Sequence, residues 1–407
     1  MKIIKSIILF PYLIIHKIVF KIAPIKNNRY VFMSYHGKYS DSPMYISEQL
    51  HSLNPSTEII WLVKKEIINS LPSYILTKDI SKLSAWWYLG SAQVIVDNVY
   101  CNKGCTWFAD APLSGLMYKV HKYLFTKSKQ HAYTTFHGTP LKKMDRDQVG
   151  NDIRGFICPN TTLLLESQYS AKLYNHLTFN NVPIEVLGSP RIEKLNQTDE
   201  YKILGIKEKL GVKPETRLIL YAPTFRNDGK DTQGKNLYRS GLDQLYSMKI
   251  DILIEALQDK FGGDWKFLVR FHQHVEKLVD WEELNKLYPG VLINGNQIEE
   301  MNDCLSASDI LLTDYSSCMF DYLVLKRPCF LYVPDLERYS NVERGLYFDI
   351  KKMPFSSATN FDELLYSIQS FDNIRFLTEL DLFKKQLGYT EIIGSTERIV
   401  NYILATR

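Results

Sequence analysis

Cysteine is scarce in this chain, with six in 407 residues: Cys101, Cys105, Cys158, Cys304, Cys318 and Cys329. Only Cys101 and Cys105 lie close together, and no nearby His or Cys pair completes a zinc pattern, which argues against a disulfide scaffold and a structural zinc site. Scattered thiols in a chain this long read as reduced and mostly buried, and a cytoplasmic setting fits them. An excess of one charge is also missing. The net charge is +4, too small for a general nucleic-acid binder, although a local basic site for an anionic substrate stays open. There are no Walker glycines and no P-loop lysine, so an ATPase loop is excluded. Internal repeats and low-complexity segments are absent as well.

No apolar run is long enough to cross a bilayer, which takes about 20 residues. The longest near the N-terminus, Ile7 to Ile15, contains Pro11 and is followed by His16, Lys17 and Lys21. Lys2 and Lys5 precede it as in a signal peptide, but no small-x-small cleavage site follows. On a helical wheel the lysines gather on one side, with Ile4, Ile8, Ile15, Ile18 and Ile22 opposite. Residues 1–26 are therefore expected to associate with a membrane surface, lying in the interface. The alternative is an apolar helix packed on the protein itself.

What is present is a βαβ rhythm. Hydrophobic residues make up 45% and aromatics 13%, enough to build two domains with sizeable cores. From residue 27, short apolar runs alternate with helical patterns: RYVFMSYHG, SPMYISEQLHSLN with Ser42 as cap, EIIWLVKK, SKLSAWWYLGSA, QVIVDNVY, HAYTTFHG, GFICPN and PIEVLGSP. This predicts α/β architecture with a parallel sheet. Residues 101–131 break the rhythm, with Leu113, Leu116, Met117, Val120 and Leu124 at helical spacing. That segment reads as a second membrane-touching or acceptor-facing helix, or as a plain surface helix. A linker is expected near residues 192–214. A second α/β unit follows, through RLILYAPTFR, DILIEALQDKF, WKFLVRFHQH, GVLING, DILLTDYSS and RPCFLYVP. The domain plan is thus 1–26, 27–195 and 196–385, with a C-terminal helix over 386–407.

In open parallel sheets, ligands sit at the carboxyl ends of the strands. Four strand ends carry polar residues: His137-Gly138-Thr139-Pro140, Ala222-Pro223-Thr224-Phe225-Arg226, Arg270-Phe271-His272-Gln273-His274, and Asp314-Tyr315-Ser316-Ser317 with Asp321 beyond. Imidazole titrates near neutrality, so His137 can take a proton from a hydroxyl, and Gly138 leaves room for a substrate. Lys142 and Lys143 behind it could hold phosphate or be solvated. Ser316 and Ser317 precede a helix, where hydroxyls and open N–H groups suit an anion; simple helix capping is the alternative. Arg270 and His272 alternate along a strand end, a spacing that puts both, with His274, on one face and suits a diphosphate. A solvated strand end is the bland alternative. No metal-ligand cluster is evident, so cationic side chains are expected to offset phosphate charge; a Mg2+ ion held loosely on a diphosphate stays open.

These blocks together resemble the CDP-glycerol glycerophosphotransferase family, the teichoic acid primases and polymerases. The resemblance rests on HGTPLKK (137–143), GSPRIEKL (188–195), APTFR (222–226), RFH (270–272), LTDYSSCMFDYLVLKRPCFLY (312–332) and ERGLYFD (343–349). It implies a GT-B fold: two facing Rossmann-like domains, the first for the acceptor and the second for the CDP-linked donor. It implies transfer of glycerol phosphate or ribitol phosphate from a CDP-alcohol to a hydroxyl of a lipid-linked or polymeric acceptor. CMP would be released, at the cytoplasmic face of the plasma membrane. His137 and His272 would be catalytic. Gly138, Thr139, Thr224, Arg226, Arg270, Asp314, Ser316, Ser317, Asp321 and Arg327 would bind substrate, and no protein metal site is implied. The chain departs from the family pattern at Gln273, where proline often follows the second histidine, and at Phe136, where tryptophan often precedes His-Gly. Two rival functions remain. A sugar-nucleotide glycosyltransferase would release UDP or GDP rather than CMP, and a non-catalytic membrane scaffold would not bind a CDP-alcohol.

Overall fold

The computed structural model describes residues 14–98, 127–136, 138–144, 147, 160–177, 182–226, 240–343 and 345–406. His137, residues 1–13 and 101–126, and the expected strand at GFICP fall outside the described residues, as do Cys101, Cys105 and Cys158. The side chains of Gln273 and His274 also fall outside them.

The chain forms two compact units: residues 1–138, 153–193 and 388–407 in one, residues 139–152 and 194–387 in the other. The first is built on a seven-stranded sheet. Its strands are β1 (Lys26–Phe32), β2 (Glu58–Val63), β3 (Leu76–Asp79), β4 (Ala92–Asp97), β5 (His131–Thr134), β6 (Thr161–Leu165) and β7 (Ile184–Val186). The second has six: β8 (Arg217–Ala222), β9 (Trp265–Val269), β10 (Leu292–Asn294), β11 (Ile310–Thr313), β12 (Cys329–Tyr332) and β13 (Ser356–Ala358). Their orders are β3-β2-β1-β4-β5-β6-β7 and β10-β9-β8-β11-β12-β13, and all pairings within them are parallel.

Parallel sheets are covered on both faces, so their strands read as unbroken apolar runs. Ile59 to Val63, Leu218 to Ala222 and Phe267 to Val269 are buried along their length. In each sheet the first strand is central and the order reverses beside it, between β1 and β4 and between β8 and β11. These are the switch points where doubly wound folds leave a ligand-sized crevice.

The region expected as a linker is helical, with helices Pro190–Asn196 and Glu200–Lys209. Asp199 caps the second by accepting from the Lys202 N–H at 2.8 Å. The C-terminal helix Ser395–Ala405 folds onto the first unit. Glu193 accepts from the N–H of Gly394 and from the N–H and hydroxyl of Thr396. Ile399, Val400 and Ile403 share a core with Tyr30, Phe32 and Val94.

Residues 14–22 are helical. His16, Phe20 and Ala23 are buried against the first unit, while Ile18 and Ile22 are 52% and 64% exposed. Among the described residues no helix is long and apolar enough to cross a membrane. The helix sits tightly on Gly90: a Cβ there would lie 2.2 Å from the Phe20 carbonyl oxygen. Lys127 donates to that same stretch, at the carbonyls of Ala23 and Gly90.

Candidate active site

The switch point of the second sheet is organised by one carboxylate. Asp314 follows β11 and is buried. It accepts from the Thr224 N–H at 2.8 Å, the Tyr315 N–H at 2.5 Å and the Arg226 guanidinium at 2.9 Å. Thr313 adds its own tie, its hydroxyl donating to the Ala222 carbonyl at 2.6 Å. The exits of β8 and β11 are thus stitched side by side. Arg226 extends the stitching to the exit of β12, donating to Asp335 at 2.8 and 3.2 Å and back to the Thr224 carbonyl at 2.6 Å. Its guanidinium carbon lies 4.7 Å from the Tyr315 ring and 4.8 Å from that of Tyr339. Burial disfavours the Arg226 charge, but Asp314 and Asp335 override it and hold the group firmly protonated. Burial likewise opposes ionisation of Asp335, and the Arg226 contact, aided by the Tyr315 hydroxyl, still keeps its carboxyl below the usual range.

This changes the role of Arg226, expected as a substrate ligand. Its donors are taken up by protein acceptors, and it is 1% exposed. The other two arginines are only partly buried and also meet backbone carbonyls. Arg270 donates to the carbonyls of Gly295, Ile298 and Glu299, fixing the loop after β10. Arg327 donates to the carbonyls of Ser306 and Ser308, both at 2.7 Å, closing the end of helix Met301–Ala307. Each arginine holds a loop in shape. The one-face argument for Arg270, His272 and His274 fails too, because β9 ends at Val269 and a short helix starts at Gln273. His272 stands just before that helix, its carbonyl accepting from the N–H of Val275 and Glu276.

Ser316 and Ser317 are partly exposed at the start of helix Cys318–Tyr322. The Ser316 hydroxyl accepts from the Cys318 N–H at 3.4 Å, and Ser317 makes no side-chain cap. Asp321, in the same helix, is buried. Thr224 has a buried hydroxyl with no hydrogen-bond partner among the described residues. Asp314, Thr224, Ser316 and Ser317 are therefore brought together on adjoining strand exits, while Arg270 and Arg327 serve neighbouring loops. The thiols of Cys304, Cys318 and Cys329 are free and buried, and burial pushes that of Cys318 up to about 11. No group of three or more His, Cys, Asp or Glu among the described residues could hold a metal ion.

The stretch after β5 changes unit between Gly138 and Thr139. Gly138 has φ +107°, a conformation that favours glycine. Beyond it, Thr139 is fully buried, and the chain is bound to the distant ERGLYFD block. Lys142 bridges Leu346 in antiparallel fashion. The Lys143 N–H donates to the Gly345 carbonyl at 3.0 Å, and the Tyr347 hydroxyl donates to Asp147 at 2.9 Å.

The first sheet has its own polar group at the switch point, which the sequence reading missed. The Asn98 amide donates to Ser34 at 3.1 Å and to Asp41 at 2.8 Å. Arg191, from the GSPR block, reaches the Asp41 carboxylate at 3.3 Å. Helix Asp41–Leu53 has Ser40, not Ser42, at its N-cap position, and Asp41 sits at φ +62°, which costs backbone energy for a residue with a Cβ. Asn98 directly follows β4 and Asp335 stands three residues past the end of β12, so both are polar residues at or near strand ends. Tyr339 carries no such mark, because its contact depends on tertiary packing.

Known proteins share this architecture. A teichoic acid glycerol-phosphate transferase of Staphylococcus aureus is 29% identical over 366 residues, covering 86% of this chain and 85% of that protein. A teichoic acid poly(glycerol phosphate) polymerase of Bacillus subtilis is 27% identical over 398 residues, covering 93% of this chain. The chain spans about half the length of that polymerase, 49%. A solved structure of the wall teichoic acid polymerase TagF superposes with a TM-score of 0.76 at 24% identity, over 99% of this chain and 95% of that one, and so has the same fold. The profile of one family matches residues 15–405. With nearly the whole length matched, this chain belongs to the CDP-Glycerol:Poly(glycerophosphate) glycerophosphotransferase family.

Proposed function

We propose that this protein transfers a polyol phosphate from a CDP-alcohol to a hydroxyl of a lipid-linked or polymeric acceptor in the synthesis of a teichoic acid or a similar capsule polymer. The observation that carries the reading is the pair of partly exposed serines on the exit of β11, next to the exit of β8, where the Thr224 hydroxyl is buried with no hydrogen-bond partner among the described residues, at the switch point of the second sheet. These hydroxyls and the helix start behind them would hold the donor diphosphate. His137 would remove the acceptor's proton. The acceptor oxygen then attacks the polyol-side phosphorus, the bond from that phosphorus to the bridging oxygen breaks, and CMP leaves with that oxygen. His272 would stabilise charge on the diphosphate, with Arg226 and Arg270 acting through the loops they hold. Positioning and electrostatics do most of the work in such phosphoryl transfers. No resident metal enters this reading, and a Mg2+ ion carried on the diphosphate is compatible with it.

CDP-glycerol is the favoured donor, because the relatives matched over most of the chain are named for glycerol phosphate. In this reading the first unit serves the acceptor and the second the donor, as in a GT-B enzyme. The exposed Ile18 and Ile22 would rest at the cytoplasmic face of the plasma membrane, with Lys17 and Lys21 toward anionic headgroups.

CMP release, measured with CDP-glycerol, CDP-ribitol and sugar nucleotides in the presence of a lipid-like acceptor, tests the chemistry. His137→Ala should lose about 10²- to 10⁴-fold in turnover and still bind CDP-glycerol in calorimetry. Full turnover in that variant would remove His137 from the mechanism. UDP or GDP release in place of CMP would replace the reaction itself.

A further inference from the structure

The mechanism above asks an imidazole to act from a loop, and the second unit shows how that loop is kept still. Phe271, just before His272, is pinned at both backbone polar groups by one side chain. Its N–H donates to Asn296 Oδ1 at 2.9 Å, and its carbonyl accepts from Asn296 Nδ2 at 2.7 Å. Its ring is buried and meets Tyr221 edge-on at 6.3 Å. After His272 the chain turns into a helix that starts on the His272 carbonyl. The backbone of His272 is thus fixed from both sides, and what remains is the orientation of its ring.

That ring lies against Phe225, with centroids 4.4 Å apart and planes tilted by 37°. Phe225 is itself on a fixed rail. Its neighbours Thr224 and Arg226 are both bound to Asp314, and Arg226 is bound to Asp335 as well. An aromatic face at this distance restricts the imidazole's rotation and covers one of its sides. We infer that Phe225 is a positioning residue for His272, setting the imidazole's orientation while making no contact with the reacting atoms. The inference rests on the proposed catalytic role of His272, and it assigns the aromatic residue of the APTFR block a task distinct from that of its arginine.

The test uses the full chain with CDP-glycerol and a lipid-like acceptor. Phe225→Leu keeps apolar bulk and removes the ring; Phe225→Tyr keeps the ring. The Leu variant should lose about 10- to 100-fold in kcat, with KM for CDP-glycerol changed less than about twofold, and the Tyr variant should recover most of that loss. The imidazole proton resonance of His272, assigned by its absence in His272→Gln, should lose its ring-current shift in Phe225→Leu and keep it in Phe225→Tyr. Wild-type kcat in the Leu variant, equal impairment of both variants, or an unmoved resonance would each overturn the positioning role. Full activity in His272→Gln would instead overturn the catalytic assignment on which it rests.

Discussion

Asp314 shows what a single buried carboxylate can organise. It receives two backbone N–H groups and one guanidinium, so two strand exits depend on it. A buried ion pair adds little net stability when both partners are present, but removing one partner leaves an uncompensated charge. Asp314→Asn should therefore cost about 3–5 kcal/mol, a drop of roughly 10 °C in thermal midpoint, measurable by calorimetry. A variant within a degree of wild type would mean that Asp335 alone satisfies Arg226. Asp335 carries a pH signature. Its folded-state carboxyl ionises below the usual range, so the unfolded chain binds the proton more readily than the folded one. The stability it contributes is complete above about pH 4, the ordinary aspartate range, and is lost as the pH falls through the lower folded value. The stability gap between wild type and Asp335→Asn should accordingly be full at pH 7 and narrow below about pH 4 in urea titrations. A gap independent of pH would assign the loss to packing.

At the scale of elements, the N-terminal helix is seated by a missing side chain. A Cβ on Gly90 would meet the Phe20 carbonyl oxygen at 2.2 Å, with the Phe20 Cα and carbonyl carbon also inside 3 Å. These are backbone atoms, so no rotamer change relieves the clash. Gly90→Ala should push the helix outward at a cost of about 1–3 kcal/mol and speed proteolysis near residues 14–23, with the sheet intact by circular dichroism. Unchanged cleavage would show that helix Leu83–Ser91 absorbs the strain. Ile18 and Ile22 point the other way, exposed rather than packed. Replacing both with glutamate should leave the melting temperature within about 2 °C and cut binding to vesicles containing anionic lipid by about tenfold or more. Undiminished binding would shift attention to residues 112–127.

At the scale of the whole molecule, two parallel sheets of the same winding carry different polar groups at equivalent places. The first switch point has Ser34, Asn98, Asp41 and Arg191 tied to one another. The second has the Asp314 clamp, with Ser316 and Ser317 partly exposed on the exit of β11 and the Thr224 hydroxyl buried on the neighbouring exit of β8. The two switch points therefore offer different sets of polar groups. A Ser316→Ala, Ser317→Ala double variant should weaken CDP-glycerol binding by about tenfold or more, two hydrogen bonds to a charged group being worth about 1.5–3 kcal/mol each. Calorimetry that finds the same affinity in the variant would place the diphosphate elsewhere.

The sequence by itself determined the alternation of strands and helices, because strands covered on both faces must be apolar throughout. It also determined where polar residues interrupt those runs, and so which strand exits to inspect. It did not reveal β3, β13 or the helices across 190–209, since these are short, partly exposed, or placed where charge masks periodicity. Nor could it show which protein acceptors the arginines meet. Arg226, Arg270 and Arg327 look alike in sequence, as cations near strand ends. Only the folded chain brings Asp335, more than a hundred residues on, and the carbonyls of residues 295–308 to meet them. A guanidinium's role is set by which acceptors reach it, and those acceptors come together only in the tertiary structure.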